Sequence, residues 1–178
     1  MIDLSRIWIA VAAAVLSIAI GSVAPANAQQ ATTPSGLEVP RFVSLKFDHI
    51  NVRRGPGMDH EIDWVFRRKG MPVQVIAESD HWRRIRDVDG STGWIHRTML
   101  DSQRTILVME EMRPLREEPS RESDPVAFAE PGVVAELLRC QPDWCKVRSD
   151  KIQGWIRTEF VFGLTDDDLT TAPSGAQG

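Results

Sequence analysis

Two thiols and four imidazoles are the side chains of this sequence with the most obvious chemistry. Cys140 and Cys145, the only cysteines, bracket Gln141-Pro142-Asp143-Trp144. Four intervening residues are not the Cys-x-x-Cys spacing of a dithiol redox centre, so the pair reads as a structural disulfide. Opposed residues of a hairpin lie about 4.5–5.5 Å apart at Cα, within reach of such a bridge. Closing so small a loop stabilises by roughly 2 kcal/mol. A zinc site would need two more ligands, and there is no third cysteine. His49, His60, His81 and His96 show no metal-ligand spacing and read as surface or turn residues. No Gly-x-Ser-x-Gly elbow is present, and no pair of carboxylates is set apart by its context. Catalysis is therefore not expected, and no metal or cofactor is implied.

Tryptophan and arginine say more. On a strand, Trp82 shares a face with Arg84 and Arg86, and Trp144 shares one with Lys146 and Arg148. A tryptophan so flanked is either packed beneath the cations or left open as a stacking platform while the cations hold carboxylates. Trp64 lies in Asp63-Trp64-Val65-Phe66-Arg67-Arg68-Lys69, beside a basic cluster. It reads equally as a ligand contact and as a cap on a core. Trp94 and Trp155 each follow a glycine and are expected in the core.

These residues recur in order. Asn51-Val52-Arg53-Arg54-Gly55-Pro56 aligns with Pro114-Leu115-Arg116-Glu117-Glu118-Pro119. Lys69-Gly70-Met71-Pro72-Val73 aligns with Pro131-Gly132-Val133-Val134-Ala135, and His81-Trp82-Arg83-Arg84-Ile85-Arg86 with Asp143-Trp144-Cys145-Lys146-Val147-Arg148. Gly93-Trp94-Ile95 then aligns with Gly154-Trp155-Ile156, the offset falling from 63 to 61 on the way. Four of the six tryptophans sit at matched positions, so the chain is a tandem repeat. In the second copy Trp64 is replaced by Val126 or Ala127. Glu78 and Arg83 match the cysteine pair and are expected to form a surface ion pair, worth about 1 kcal/mol or less.

The elements that must hold these residues are short strands. Val43, Leu45 and Phe47 alternate with polar residues, as do Val73 and Val75 around Gln74. Ser79-Asp80-His81 and Asp89-Gly90 are turn signals between them. Closely spaced short strands predict an all-β fold of two small barrels, with no convincing helix. Residues 7–24 form an apolar run followed by Ala26-Asn27-Ala28, a secretory signal pattern with cleavage between Ala28 and Gln29, the alternative being an uncleaved membrane anchor. The expected organisation is a signal peptide over 1–28, a flexible linker over 29–40, barrels over 41–103 and 104–165, and a disordered tail over 166–178. After cleavage no membrane span remains, and an exported chain would carry its cysteines into an oxidising compartment, periplasmic or extracellular. The formal charge of −4 makes no case for nucleic acid. Residues 41–104 hold 12 basic and 9 acidic side chains, and residues 105–164 hold 8 and 11. That asymmetry fits either ordinary solvated surfaces or two halves that face each other.

The motifs resemble the bacterial SH3 family: Asn51-Val52-Arg53, Gly55-Pro56, Lys69-Gly70, Val73, Val75, Trp82, Ile85 and Gly93-Trp94-Ile95 in the first copy. The second keeps Leu115, Arg116, Gly132, Trp144, Gly154 and Trp155. The resemblance implies five or six strongly bent strands per copy, and a role in wall targeting or envelope interaction. The aromatic groove of eukaryotic SH3 domains is not carried over, because the chain has no tyrosine. The reading that follows is a binding module for peptidoglycan or an envelope protein. Its expected ligand residues are Arg53, Arg54, Trp64, Arg67, Trp82 and Arg84. The second copy is expected to have lost such a site or never to have had it, and to support or dock. The alternative is an adaptor whose barrels pack through opposite charges; an enzyme comes a distant third. Oligomeric state is not legible.

Overall fold

The computed structural model describes residues 33–170. The expected signal peptide, its cleavage point and the last residues of the tail lie outside this range. Within it the chain forms two seven-stranded antiparallel sheets. The first contains β1 (Arg41–Leu45), β2 (Ile50–Arg53), β3 (Ile62–Phe66), β4 (Pro72–Ser79), β5 (Trp82–Arg86), β6 (Thr92–His96) and β7 (Leu100–Asp101). The second contains β8 (Thr105–Val108), β9 (Arg113–Arg116), β10 (Pro125–Ala129), β11 (Val134–Gln141), β12 (Trp144–Ser149), β13 (Ile152–Arg157) and β14 (Val161–Phe162). The order β3-β2-β6-β5-β4-β1-β7 is repeated as β10-β9-β13-β12-β11-β8-β14. The repeat in sequence is thus a repeat in topology. The strand number exceeds the five or six expected, since each copy ends in a two-residue strand after a single 3-10 turn.

Each sheet bends around its own aliphatic core. In the first, Leu45, Ile50, Val52, Phe66, Val73, Val75, Ile85 and Ile95 are buried together. In the second, Ile106, Val108, Leu115, Ala129, Ala135, Cys145, Val147 and Ile156 are. Alternation explains the set: Val73 and Val75 point inward while Gln74 does not. Phe47 breaks the expected pattern. β1 stops at Leu45, and Phe47 lies beyond it, 46% exposed. Trp94 is also not core. Gly93 and Ile95 take the inward positions on β6, which leaves Trp94 half-buried between them on the other face. A Cβ on Gly93 would stand 2.4 Å from Val52 Cγ1 and 3.0 Å from Trp64 Cη2, so glycine is what admits those two side chains. Trp155 is buried, but on the corresponding outer face, with the Arg139 guanidinium 5.2 Å from its ring centre.

Two corrections concern the ends. Part of the expected linker is tied down: Ser35 donates from its backbone N–H and its hydroxyl to the Glu78 carboxylate, at 2.9 and 2.8 Å. Part of the expected tail is helical. α1 (Asp166–Thr170) begins where Thr165 N–H and Oγ1 both donate to Asp168 Oδ2 at 2.7 Å. This local cap satisfies a donor that a helix start otherwise leaves unpaired. Arg104 then pins the carboxylate at 2.7 Å. Asp168 is held below the usual carboxylate range: burial pushes it up, and the hydrogen bonds from Arg104 and Thr165 outweigh that.

The barrels meet through Phe42 and Phe162, edge to face at 5.1 Å, and through a hydrogen bond from Thr105 Oγ1 to Gly70 O at 2.7 Å. Arg104 adds a cation over the Phe42 ring. This join is aromatic and hydrogen-bonded, unlike the charge-on-charge packing considered from the sequence.

Candidate functional site

The outer face of β2, β5 and β6 carries a groove of about 360 Å3, lined by His49, Asn51, Arg53, Met58, Trp82, His96 and Met99. Register builds it. Trp82 is the cross-strand partner of His96, and their rings meet edge to face at 5.4 Å. His96 is steadied by Thr98 Oγ1, 2.8 Å from Nδ1. Arg53 rises from the adjacent strand and donates to His60 O at 2.6 Å, which ties down the long loop between β2 and β3. A Cβ on Gly55 would lie 2.5 Å from the His60 ring, so the loop closes over a glycine.

The second barrel has a groove at the same place, of about 270 Å3. Asn51, Arg53, Met58, Trp82, His96 and Met99 correspond in it to Pro114, Arg116, Arg121, Trp144, Arg157 and Phe160. Even the anchor is repeated, since Arg116 donates to Ser123 O as Arg53 does to His60 O. The second barrel therefore carries a groove of its own, although Trp64, the centre of the expected site, has no indole counterpart there.

Of the residues singled out in the sequence, Arg53 and Trp82 line the first groove. Arg84 stands exposed on the same strand and donates to Thr92 Oγ1 at 3.3 Å. Arg54 faces away, paired with Glu61 at 3.1 Å and Asp63 at 3.3 Å. Arg67 is exposed just past β3. Trp64 turns inward opposite Val52 and packs on the core, with its ring 6.1 Å from Phe66. It is a cap on the core, and its Nε1 is buried without a hydrogen-bond partner. In the second barrel the register sets Ala127 opposite Leu115, and Gly154 looks onto Val126. Either residue is far smaller than an indole. Sequence reasoning gave His49 and His96 no ligand role, passed over Met58 and Met99, and did not assemble the arginines of the second groove around Trp144.

The Cys140–Cys145 disulfide is formed, across a β11–β12 pair in which the two are direct partners. Glu78 and Arg83 are partners in the equivalent β4–β5 register. Their bridge is made at 3.1 Å, but buried rather than at the surface as expected. Arg41 reaches the same carboxylate from β1, and Ser35 completes its shell.

The family follows from this architecture. The bacterial SH3 domain model matches residues 46–102 and 109–163, more than half of the chain. The chain belongs to the bacterial SH3 domain family, in two tandem copies. Such domains are binding modules and not catalytic ones. No curated protein matches the chain. Among solved structures it is similar to NlpC2 from Trichomonas vaginalis, at 10% identity and a TM-score of 0.33, over 71% of this chain and 49% of that one. It is similar also to NlpC1 from Trichomonas vaginalis, at 11% identity and a TM-score of 0.33, over 70% and 46%. The chain spans about half the length of these two proteins. No helix among the described residues is long and apolar enough to cross a membrane.

Proposed function

We propose that the chain is a non-catalytic envelope binding module, periplasmic or secreted, whose first barrel holds a peptidoglycan stem peptide in the Arg53–Trp82 groove. The observation that carries this reading is the pairing of one cation and one indole on the two banks of a single groove. A guanidinium takes a carboxylate through two parallel hydrogen bonds, and an indole flank gives the peptide's carbon frame a surface to lie on. Stem peptides offer both groups. Family membership supports a binding role, and the signal-like N-terminus and the disulfide fit an oxidising compartment.

The test is sedimentation with purified sacculi. The wild-type chain is expected to pellet with them, and Trp82→Ala or Arg53→Gln to reduce retention at least tenfold. Arg54→Gln and Arg67→Gln should leave it unchanged. Equal retention of wild type and Trp82→Ala would place the wall contact elsewhere.

An envelope protein partner is the second reading. It is favoured by the edge strand β10, where Val126 is 47% and Phe128 60% exposed. An unpaired edge with apolar side chains is a template for strand addition.

A further inference from the structure

We propose that the groove of the second barrel is a separate oxyanion site, for a small ligand or terminal group bearing at least two anionic oxygens, whatever the first groove holds. Four guanidinium groups line it, from Arg113, Arg116, Arg121 and Arg157, and no carboxylate does. This is not the background of the barrel, because residues 105–164 carry 8 basic and 11 acidic side chains. Half of the barrel's basic residues therefore meet at one place on an otherwise acidic surface. Relative to the first groove, Met58 and His96 have given way to Arg121 and Arg157. The exchange replaces a neutral side chain and a titratable one with permanent cations.

Arg113 and Arg116 are held in place, and the carboxylates nearest the four cations, Glu111, Glu122 and Glu159, stand in solvent. Arg116 is fixed by its bond to Ser123 O. The Arg113 guanidinium stands over Phe160, 3.8 Å from the ring centre, and its Nε is buried without a hydrogen-bond partner. Arg113 pairs with Glu111 at 3.1 Å and Arg157 with Glu159 at 3.2 Å, but those glutamates are 74% and 50% exposed. Exposed pairs of that kind are worth about 1 kcal/mol or less and yield easily to a ligand. Clustered like charges repel, and anionic oxygens between them relieve that cost. Trp144 and Phe160 supply an apolar wall for the carbon frame. A groove of about 270 Å3 suits a short dicarboxylate or a phosphorylated unit. Both present the same chemistry, planar guanidinium forks meeting paired oxygens.

The test uses the full chain without residues 1–28 and three probes: glutarate, inorganic phosphate and, as the monoanion control, acetate. The indole N–H resonance of Trp144, assigned by Trp144→Phe, is followed by NMR at low ionic strength. Glutarate or phosphate should move it saturably, with acetate at least tenfold weaker, and added salt should weaken binding. Arg121→Gln with Arg157→Gln should weaken binding at least tenfold, and Arg53→Gln should not. A response to phosphate alone assigns phosphorylated ligands, and one to glutarate alone assigns carboxylate-bearing ends. Failure of both dianions to move Trp144, or titrations unchanged in the double variant, overturns the proposal. Wall retention through Trp82 is read in a different assay, so the two sites stand or fall separately.

Discussion

Glu78 and Arg83 face each other 3.1 Å apart as cross-strand partners, at the register position that Cys140 and Cys145 hold in the second barrel. One hairpin is closed by charge and the other by a covalent bond. The charged version does more than close its hairpin, since Glu78 also receives Arg41 and Ser35. It joins β1, β4, β5 and the segment before β1 through one carboxylate.

That carboxylate should make the first barrel acid-sensitive. Burial pushes the Glu78 pKa up, but the hydrogen bonds from Arg41 and Ser35 and the charge of Arg83 outweigh it, and the net shift is downward from 4.5. A depressed folded value means stabilisation that is complete above about 4.5 and is lost as pH falls through the lower folded value. Glu78→Gln should cost about 2 kcal/mol at pH 7, because Arg83 and Arg41 lose their counter-charge while Arg83 keeps its bonds to Asp80 O and Trp82 O. It should also flatten the acid limb of Tm against pH between 7 and 3. A wild-type Tm that rises on acidification would contradict the sign.

The second hairpin should respond to reductant instead. Cys140→Ser with Cys145→Ser is expected to lower stability by roughly 2 kcal/mol, the loop-closure value for so short a ring. Chemical denaturation with and without dithiothreitol reads this directly. Because the registers are equivalent, Glu78→Cys with Arg83→Cys should oxidise spontaneously, and a thiol assay should find no free sulfhydryl.

Gly93 and Gly154 should be intolerant of any side chain. A Cβ at Gly93 meets Val52 Cγ1 at 2.4 Å and Arg53 O at 3.2 Å, and one at Gly154 meets Leu115 Cβ at 2.7 Å. Val52 and Leu115 are buried and have nowhere to go. Gly93→Ala is expected to cost about 2 kcal/mol as an overpacking change. Full stability in that variant, by urea melt, would show that β2 and β6 can move apart.

The repeat, the all-β class and the disulfide were legible because each leaves a mark that survives in sequence: rare residues in order, alternation, and a tight spacing. The groove was not, because it is assembled from β2, β5, β6 and two loops, and no local pattern announces it. A signal did exist. Carrying the offsets of 63 to 61 across every position sends Met58 to Arg121 and His96 to Arg157, which would have exposed the arginine cluster. Trp64 stayed divided between ligand contact and core cap for a physical reason. A basic neighbourhood reports what flanks a side chain in sequence, whereas the strand phase relative to Val52 decides which way it points. The helix after Leu164 was missed because only its cap, Thr165 with Asp168, is encoded, and five residues show no periodicity.

The join between the barrels should be breakable at Phe162. Its ring packs edge to face on Phe42, which is 8% exposed, and the strand that carries it, β14, pairs with β8 inside the second barrel. Removing the ring therefore takes away an inter-barrel contact while the backbone pairing stays. The remaining link includes the hydrogen bond from Thr105 to Gly70 O, and a single such bond contributes about 1 kcal/mol. Each barrel keeps its own buried core, and a unit of about sixty residues is large enough to fold alone. Phe162→Ala should thus split one cooperative unfolding transition into two, visible by calorimetry as a calorimetric enthalpy exceeding the van't Hoff value. With dithiothreitol present, the transition that moves down should be that of the second barrel, since only it contains a disulfide. A single unshifted transition in Phe162→Ala would mean that the two cores are coupled through the backbone at residues 102–105 rather than through the aromatic pair.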